Sequence, residues 1–126
     1  MKIGIDFHNV IDVMPELFAF LTDSIIKNGG EVHIITGGLR DSDKQLIEKY
    51  DIKYTKIFSI VDYHKSIGTK TNGVHPKHGF PLIEDDDLWN HTKGKYCKEN
   101  GIHLHIDDTE NYKKFFETPF CLINLK

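Results

Sequence analysis

The sequence predicts an α/β fold: a single Rossmann-like domain with a parallel sheet of about five strands and helices on both faces. Short apolar runs alternate along the chain with longer segments in which apolar residues recur every three or four positions. This alternation is typical of strands joined by crossover helices. Three of the apolar runs also end in polar groups, at Asp6, Thr36 and Asp107. The chain has 126 residues, enough for one such domain, which we expect to span residues 1–126.

The expected elements follow this alternation in order. Pro15 suits the first turn of a helix after the first strand, and Gly29 and Gly30 are suited to end it. Caps for the next two helices are available at Asp41, Ser42 or Asp43 and at Asp85-Asp86-Asp87. A short helix is expected at 111–116. The strands are predicted at residues 2–6, 31–36, 54–61, 102–106 and 120–124.

The segment from Asp62 to Glu84 breaks the alternation. Glycines and prolines interrupt it, and no apolar period continues through it. We therefore expect residues 62–84 to form a long loop or a small hairpin over the site, with a minimal cap or none. Substrate specificity is expected to come from this segment, because it is the only stretch with residues to spare.

Composition favours a soluble globular domain. Charged residues make up 28% and hydrophobic residues 39% of the chain, and the formal net charge is −3. Charges of both signs are interspersed, so the basic surface that binds a nucleic-acid backbone is not expected. No apolar run has the length of a signal peptide or a membrane span, which favours a cytoplasmic protein without a membrane partner. Cys97 and Cys121 are expected to be reduced thiols in the core.

The polar groups at the strand ends predict a phosphate and metal site. Ligands bind at the carboxyl ends of the strands in open α/β sheets, where Asp6, Asp107 and Asp108 would lie together. Carboxylates at close range need a cation, and hard oxygen ligands suit Mg²⁺. The Thr36 hydroxyl and the amides of Gly37 and Gly38 are suited to hold a phosphoryl group. A lysine is expected to offset the charge; Lys93 is the first choice, with Lys95 and Lys98 as alternatives.

These residues resemble the motifs of the haloacid dehalogenase-like phosphohydrolases. Asp6-Phe7-His8-Asn9-Val10 is similar to the family's first motif, Asp-x-Asp-x-Thr/Val, and Thr36 to its second, a Ser/Thr that ends a strand. Lys93 would be the third motif, and Asp107-Asp108 matches the paired-acid form of the fourth. The lysine four residues before Cys97 is similar to small nucleotidase-like members. The motifs fall in the family's order across nearly the whole chain.

The resemblance implies a Mg²⁺-dependent phosphatase. Asp6 would attack phosphorus and form an aspartyl-phosphate that water then hydrolyses. The resemblance also implies Mg²⁺ ligands: the Asp6 carboxylate, the backbone carbonyl of His8, and Asp108 directly with Asp107 acting through water. His8 stands where the family's phosphatases carry a second Asp, and histidine is able to take over its acid/base role.

The sequence leaves several functions open. The protein is expected to be a phosphatase, a catalytically weak relative that binds a phosphorylated ligand or a protein partner, or a catalyst of another reaction on the same scaffold. Its partner is expected to be a phosphorylated small molecule, either a nucleotide or a sugar phosphate. Zinc binding by His64, His75, His78 and His91 is not favoured, because their spacing fits no closed Cys/His site. His103 and His105 are expected to be half-buried strand residues.

Overall fold

A five-stranded parallel sheet organises the protein. The structure, a computed structural model, describes residues 1–125. The strands of this sheet are β1 (Lys2–Ile5), β2 (Glu31–Thr36), β3 (Lys56–Ser59), β6 (Leu104–Asp107) and β7 (Phe120–Leu122). They lie side by side in the order β3-β2-β1-β6-β7. The helices are α1 (Pro15–Lys27), α2 (Asp41–Lys49), α3 (Ile60–Ser66) and α4 (Asp86–Glu99). A short 3₁₀ helix, Glu110–Phe115, joins β6 to β7.

Alternate residues of β2 face two separate cores. Ile34 packs with Phe18 and Ile47 in the larger core, to which α1 and α2 contribute. Ile35 packs with Cys97 of α4 and with Ile102 in a smaller core on the other face. Successive strand residues point to opposite sides of a sheet, so two apolar neighbours in one strand require cover on both faces. The predicted α/β fold with a five-stranded parallel sheet and helices on both faces is confirmed.

The third strand is shorter than the predicted 54–61. It ends at Ser59, whose side chain accepts a hydrogen bond from the Asp62 amide at 3.2 Å and caps α3. Ile60 and Val61, which extend the apolar run in the sequence, are buried in the first turn of that helix. The prediction that periodic structure stops at residue 61 is therefore wrong, because a cap at Ser59 turns an apolar run into a helix start.

Residues 71–83 form a hairpin after α3. It consists of β4 (Thr71–Val74) and β5 (Pro81–Ile83), which pair antiparallel in a separate two-stranded sheet. His64 of α3 anchors its base: one ring nitrogen lies 2.8 Å from the Thr69 hydroxyl and the other 2.8 Å from the Thr92 hydroxyl of α4. The hairpin is thus attached to the main domain at the start of β4.

Three other predictions need correction. Cys97 is fully buried, but Cys121 is exposed on the edge strand β7, so it is not a core thiol. His103 is exposed and precedes β6, whereas His105 is fully buried, so neither is half-buried. The last strand ends at Leu122 rather than at residue 124. None of the helices among residues 1–125 is long and apolar enough to cross a membrane.

Candidate active site

The site lies where the chain order of the sheet reverses. β1 is central; the chain proceeds from it to β2 and β3 on one side and later returns to β6 and β7 on the other. Asp6 follows β1, Asp107 ends β6, and the Asp6 amide donates to the Ile106 carbonyl oxygen at 2.9 Å. A cavity of about 400 Å³ opens at this edge and is lined by Asp6 and Asp108, among other residues. Its volume is within the range of small-molecule sites, roughly 300–1,000 Å³.

Lys93 joins the carboxylates of the two central strands. Its Nζ lies 3.0 Å from Asp6 Oδ1 and 2.8 Å from Asp107 Oδ2, and all three side chains are buried. We call Asp6, Lys93, Asp107 and Asp108 the acidic cluster. The other two candidate lysines lie on the exposed side of α4, where Lys95 pairs with Glu99 and Lys98 with Glu117. Lys93 is the lysine that α4 brings to this site.

Burial and charge set the pKa values within the acidic cluster. Burial raises the pKa of Asp6 to about 8, and the charge of Asp107 adds to this rise, although Lys93 opposes it. Burial also acts to raise the pKa of Asp107, but hydrogen bonds from His105 and Lys93 hold it below its usual range. For Lys93, burial acts to lower the pKa, and the two carboxylates outweigh it and raise it. The raised pKa of Asp6 indicates that Lys93 alone does not offset the carboxylate charge, so the cluster could hold a further cation.

Asp107 and Asp108 are placed differently. Asp107 is fully buried; Oδ2 contacts Lys93 and His105, and Oδ1 accepts from the Thr109 amide at 3.1 Å. Asp108 is partly exposed and lines the cavity, and within residues 1–125 its Oδ1 accepts a single hydrogen bond, from the neighbouring Thr109 hydroxyl at 3.2 Å. Asp108 is thus the more available of the two for a ligand in the cavity.

The donor set of the acidic cluster fits a hard divalent cation. One oxygen from each of Asp6, Asp107 and Asp108 lies within 4.8 Å of the other two. One lysine faces three carboxylates, so negative charge remains if all are ionised. Oxygen-only ligands from few carboxylates suit Mg²⁺, which keeps several waters and bridges to phosphate. The residues present therefore fit the ion that the sequence predicts.

His105 is a member of the site that the sequence analysis did not assign to it. Its Nε2 lies 2.8 Å from Asp107 Oδ2, and its ring stacks on Phe116 with centroids 5.0 Å apart. Burial lowers the pKa of His105, so the ring is neutral and donates from Nε2 to the carboxylate. The spacing His105-x-Asp107 carried the signal, because residues two apart in a strand share a face.

Thr36 lies at the same edge but is enclosed by the turn that follows it. The side chain is fully buried, and its hydroxyl donates to the Gly38 carbonyl oxygen at 3.2 Å. Among the described residues, Gly37 and Gly38 line the cavity and Thr36 does not. The predicted phosphate-binding segment is therefore next to Asp6, with its two glycines presented to the cavity and its threonine holding their turn.

His8 lines the cavity two residues after Asp6. Its backbone is extended (φ −72°, ψ 132°), and Asn9 then adopts a left-handed conformation (φ 62°), which asparagine tolerates better than most residues. The Asn9 amide donates to Asp12 Oδ1 at 2.6 Å and closes the turn. Because the chain bends here, the His8 side chain stays at the cavity instead of continuing along the sheet.

Asp43 of α2 holds the His8 ring and was missed as a site residue. His8 Nε2 lies 3.0 Å from Asp43 Oδ2, which also accepts from the Arg40 amide at 2.8 Å. Burial acts to raise the pKa of Asp43, but the hydrogen bonds from Arg40 and His8 hold it below its usual value. The sequence marks Asp43 as a possible helix cap, and that signal does not reveal a contact with a residue 35 positions away.

The four histidines for which zinc binding is not favoured lie in three separate places. His64 is buried between two threonine hydroxyls, and His91 lies on α4 with its Nδ1 2.7 Å from the Asp87 carbonyl oxygen. His75 and His78 are stacked face to face, with centroids 4.6 Å apart. Within residues 1–125, the cluster suited to a metal ion is that of Asp6, Asp107 and Asp108.

Comparisons with known protein families, with curated proteins and with solved structures find no match to this chain. One cavity is lined by a buried carboxylate beside a lysine, by carboxylates that could hold a cation, by two glycines of a turn and by an imidazole. Such a set is able to bind a phosphoryl group and to deliver a nucleophile to it.

Proposed function

We propose that the protein is a Mg²⁺-dependent phosphatase that hydrolyses a phosphomonoester through an aspartyl-phosphate on Asp6. The observation that supports this most is the position of Asp6, which lines the cavity beside Lys93, with Asp108 on the neighbouring strand end. The proposal agrees with the family resemblance of the sequence. A phosphorylated small molecule as substrate and a cytoplasmic location are parts of the same prediction.

In the first step Asp6 attacks phosphorus. A bond forms between a carboxylate oxygen of Asp6 and phosphorus while the bond to the leaving oxygen breaks. Lys93 contacts Oδ1 of Asp6, and among the described residues no hydrogen bond is made to Oδ2, which is thus the oxygen free to react. The Gly37 and Gly38 amides and Lys93 would stabilise charge on the phosphoryl oxygens. In the second step water attacks the acyl phosphate and restores Asp6.

Mg²⁺ would be held by Asp6, by Asp108 and by the backbone carbonyl of His8, with Asp107 acting through water. When bound, the ion would neutralise carboxylate charge and polarise the phosphoryl group. Asp107 is better suited to orient Lys93, because both of its oxygens already accept hydrogen bonds. The buried ring of His105 keeps that carboxylate in place.

His8 is proposed to give a proton to the leaving oxygen and to accept one from water. Asp43 occupies Nε2, so Nδ1 is the ring nitrogen available for this exchange. The same contact supports the second candidate, a weak relative that binds a phosphorylated ligand or a protein partner. In that case Asp43 would simply fix His8 as part of a binding wall.

The test is phosphatase activity of the purified protein on a panel of phosphomonoesters with and without Mg²⁺. Wild type should release phosphate only with the ion, and Asp6→Asn should release none. Acid-quenched wild type should carry a phosphoryl group on Asp6 by mass spectrometry. Asp23→Asn, on the surface of α1, is the matched control and should keep full activity. An active Asp6→Asn would exclude Asp6 as the nucleophile.

His8→Ala separates the two candidates. An acid/base contributes about 10²–10⁴-fold to rate, so kcat should fall by that factor while phosphate-analogue binding persists. Turnover that survives in His8→Ala would remove the assigned role. A wild type that binds the substrates but turns over none of them would favour the binding protein.

A further inference from the structure

Aromatic rings from three elements line the part of the cavity outside the acidic cluster. His78 and Phe80 come from the hairpin, Trp89 comes from α4, and Tyr112 comes from the 3₁₀ helix. The Trp89 Nε1 donates to the Tyr112 hydroxyl at 3.0 Å, and the Tyr112 ring lies 4.7 Å from Lys93 Nζ. This chain of contacts fixes two of the rings relative to the catalytic lysine.

The glycines of the phosphate-binding turn make room for two of these rings. A Cβ on Gly38 would lie 2.8 Å from the Phe80 ring, and one on Gly37 would lie 3.1 Å from the Trp89 ring. Any larger residue at position 38 would displace Phe80. The rings of Phe80 and Trp89 are half-buried, so part of their surface is left to the cavity.

Histidines extend this ring-lined surface towards the site of proton transfer. The His78 ring stacks on His75, with centroids 4.6 Å apart, whereas its centroid lies 6.2 Å from that of His8, so the face towards His8 is not closely covered. His78 itself is exposed and makes no contact that the core requires. It therefore presents ring surface close to the position where a leaving group would depart from phosphorus.

Fixed charge in the cavity limits the number of phosphates. Among the described residues that line it, Lys93 is the only lysine or arginine, and two carboxylates already contact it. A second phosphate would meet Asp86 and Asp108 without a fixed cation to offset them. This distribution of charge suits a ligand with one phosphoryl group beside the acidic cluster and an uncharged group on the rings.

We infer that the substrate is a phosphate monoester whose leaving group carries a flat aromatic ring, held by His78, Phe80 and Trp89. This inference rests on the proposed function and narrows it. Stacking on aromatic side chains favours any π-system, so a nucleoside and a simple aryl group share the required chemistry. A sugar phosphate without a base lacks the ring and gains nothing from these three side chains.

The experiment separates binding from turnover by use of phosphonates, which the enzyme cannot hydrolyse. Calorimetry with Mg²⁺ would compare benzylphosphonate, a nucleoside 5′-phosphonate and ethylphosphonate. Both ring-bearing ligands, or one of them, should bind about 10-fold more tightly than ethylphosphonate. The stronger of the two identifies the source of the ring. Equal affinity for all three, or no binding of any, would overturn the inference.

Variants of His78 test the ring-lined surface directly, because this side chain is exposed and its loss should not impair folding. His78→Ala should abolish most of the preference for the ring, and His78→Phe should restore it. His103→Ala, another exposed histidine at the opposite end of the sheet, should leave the preference unchanged. If the double variant His78→Ala with Phe80→Leu still preferred ring-bearing phosphonates over ethylphosphonate as wild type does, the ring-lined surface would be rejected as the binding site.

Phosphate release on the corresponding esters distinguishes the failure of this inference from that of the proposed function. Turnover without preference for phenyl phosphate or a nucleoside monophosphate over glycerol phosphate would leave the phosphatase in place and reject the aromatic substrate. Tight phosphonate binding without turnover of any ester would reject the phosphatase and keep the aromatic ligand.

Discussion

The acidic cluster and the hairpin are two sides of one cavity with opposite construction. Asp6, Lys93 and Asp107 are buried, come from the central strands and α4, and are joined by ion pairs of 2.8–3.0 Å. The hairpin residues at 71–74 are exposed, and its two strands pair with each other in a sheet separate from the main one. We call the acidic cluster the rigid side of the cavity and the hairpin its exposed side. The rigid side is suited to chemistry, which needs fixed geometry, and the exposed side is suited to recognition, which tolerates variation. Substitutions on the two sides of the cavity should therefore differ in their effect on stability.

Lys93→Met should be the most destabilising substitution. It would leave two buried carboxylates next to each other without their cation, and breaking a buried pair costs about 3–5 kcal/mol. Urea unfolding of wild type and variant would measure the loss. Lys95→Met, two residues along α4 on the exposed side, and Lys70→Met beside the hairpin should leave the free energy of unfolding unchanged within error.

The double variant Asp6→Asn with Lys93→Met should recover part of that loss, because one of the two unpaired carboxylates is gone. No recovery would mean that Lys93 stabilises the fold by packing alone. A loss no larger than that of Lys95→Met would show that the cluster is not the rigid side of the cavity.

Mg²⁺ should stabilise the wild type by about 2.7 kcal/mol at a concentration 100 times Kd, provided that the ion binds only the folded protein. Asp108→Ala should abolish the rise in Tm, since Asp108 lines the cavity, whereas Asp107 does not and already accepts hydrogen bonds at both oxygens. Asp62→Ala, an exposed carboxylate on α3, serves as the control. An equal rise in Asp108→Ala would place the ion elsewhere.

Much of the rigid side could be predicted from the sequence, and the reason is geometric. Asp6, Thr36 and Asp107 each come at the end of an apolar run, and parallel strands bring such ends to one edge. Lys93 could be chosen only provisionally among three lysines, because helical spacing does not reveal which face of α4 meets the sheet. Contacts across long chain separation, such as that between His8 and Asp43, leave no periodic signal.

The exposed side could be predicted only as an irregular segment. Apolar residues Ile60 and Val61 fit a strand or a helix equally well, and the cap at Ser59 decides between them. The rings of Phe80 and Trp89 rest on Gly38 and Gly37, which are more than 40 positions away in the sequence. Ring packing against a glycine depends on tertiary geometry. The sequence therefore indicates which segment provides specificity, but it does not indicate that aromatic rings provide it.

His64 should make the attachment of the hairpin sensitive to acid. Burial lowers the pKa of His64, with the charge of Lys95 adding to this effect, so the unfolded chain binds a proton more readily than the folded protein. Stability contributed by His64 is complete above the unfolded pKa of about 6.5 and is lost as pH falls below it, by at most about 1.4 kcal/mol per pH unit.

Unfolding of wild type and His64→Gln between pH 7.5 and pH 5 would measure this difference, with His103→Gln as control. The variant should lose less stability than wild type over this range. Parallel curves for wild type and His64→Gln would show that the histidine does not link the hairpin to pH.

Thiol labelling compares the two sides directly with little effect on stability. Cys97 lies one turn after Lys93 on α4, and burial raises the pKa of its thiol to about 12. At pH 8 it is therefore almost entirely the unreactive thiol, and it is also inaccessible.

In a Cys121→Ser background, Val74→Cys would place a second thiol in the hairpin at a position that is 60% exposed. Iodoacetamide should alkylate residue 74 at the rate of a free thiol, and it should alkylate Cys97 only as fast as α4 opens. Peptide mass spectrometry would measure the two alkylation rates. Similar rates at the two positions would show that the cluster side opens as readily as the hairpin.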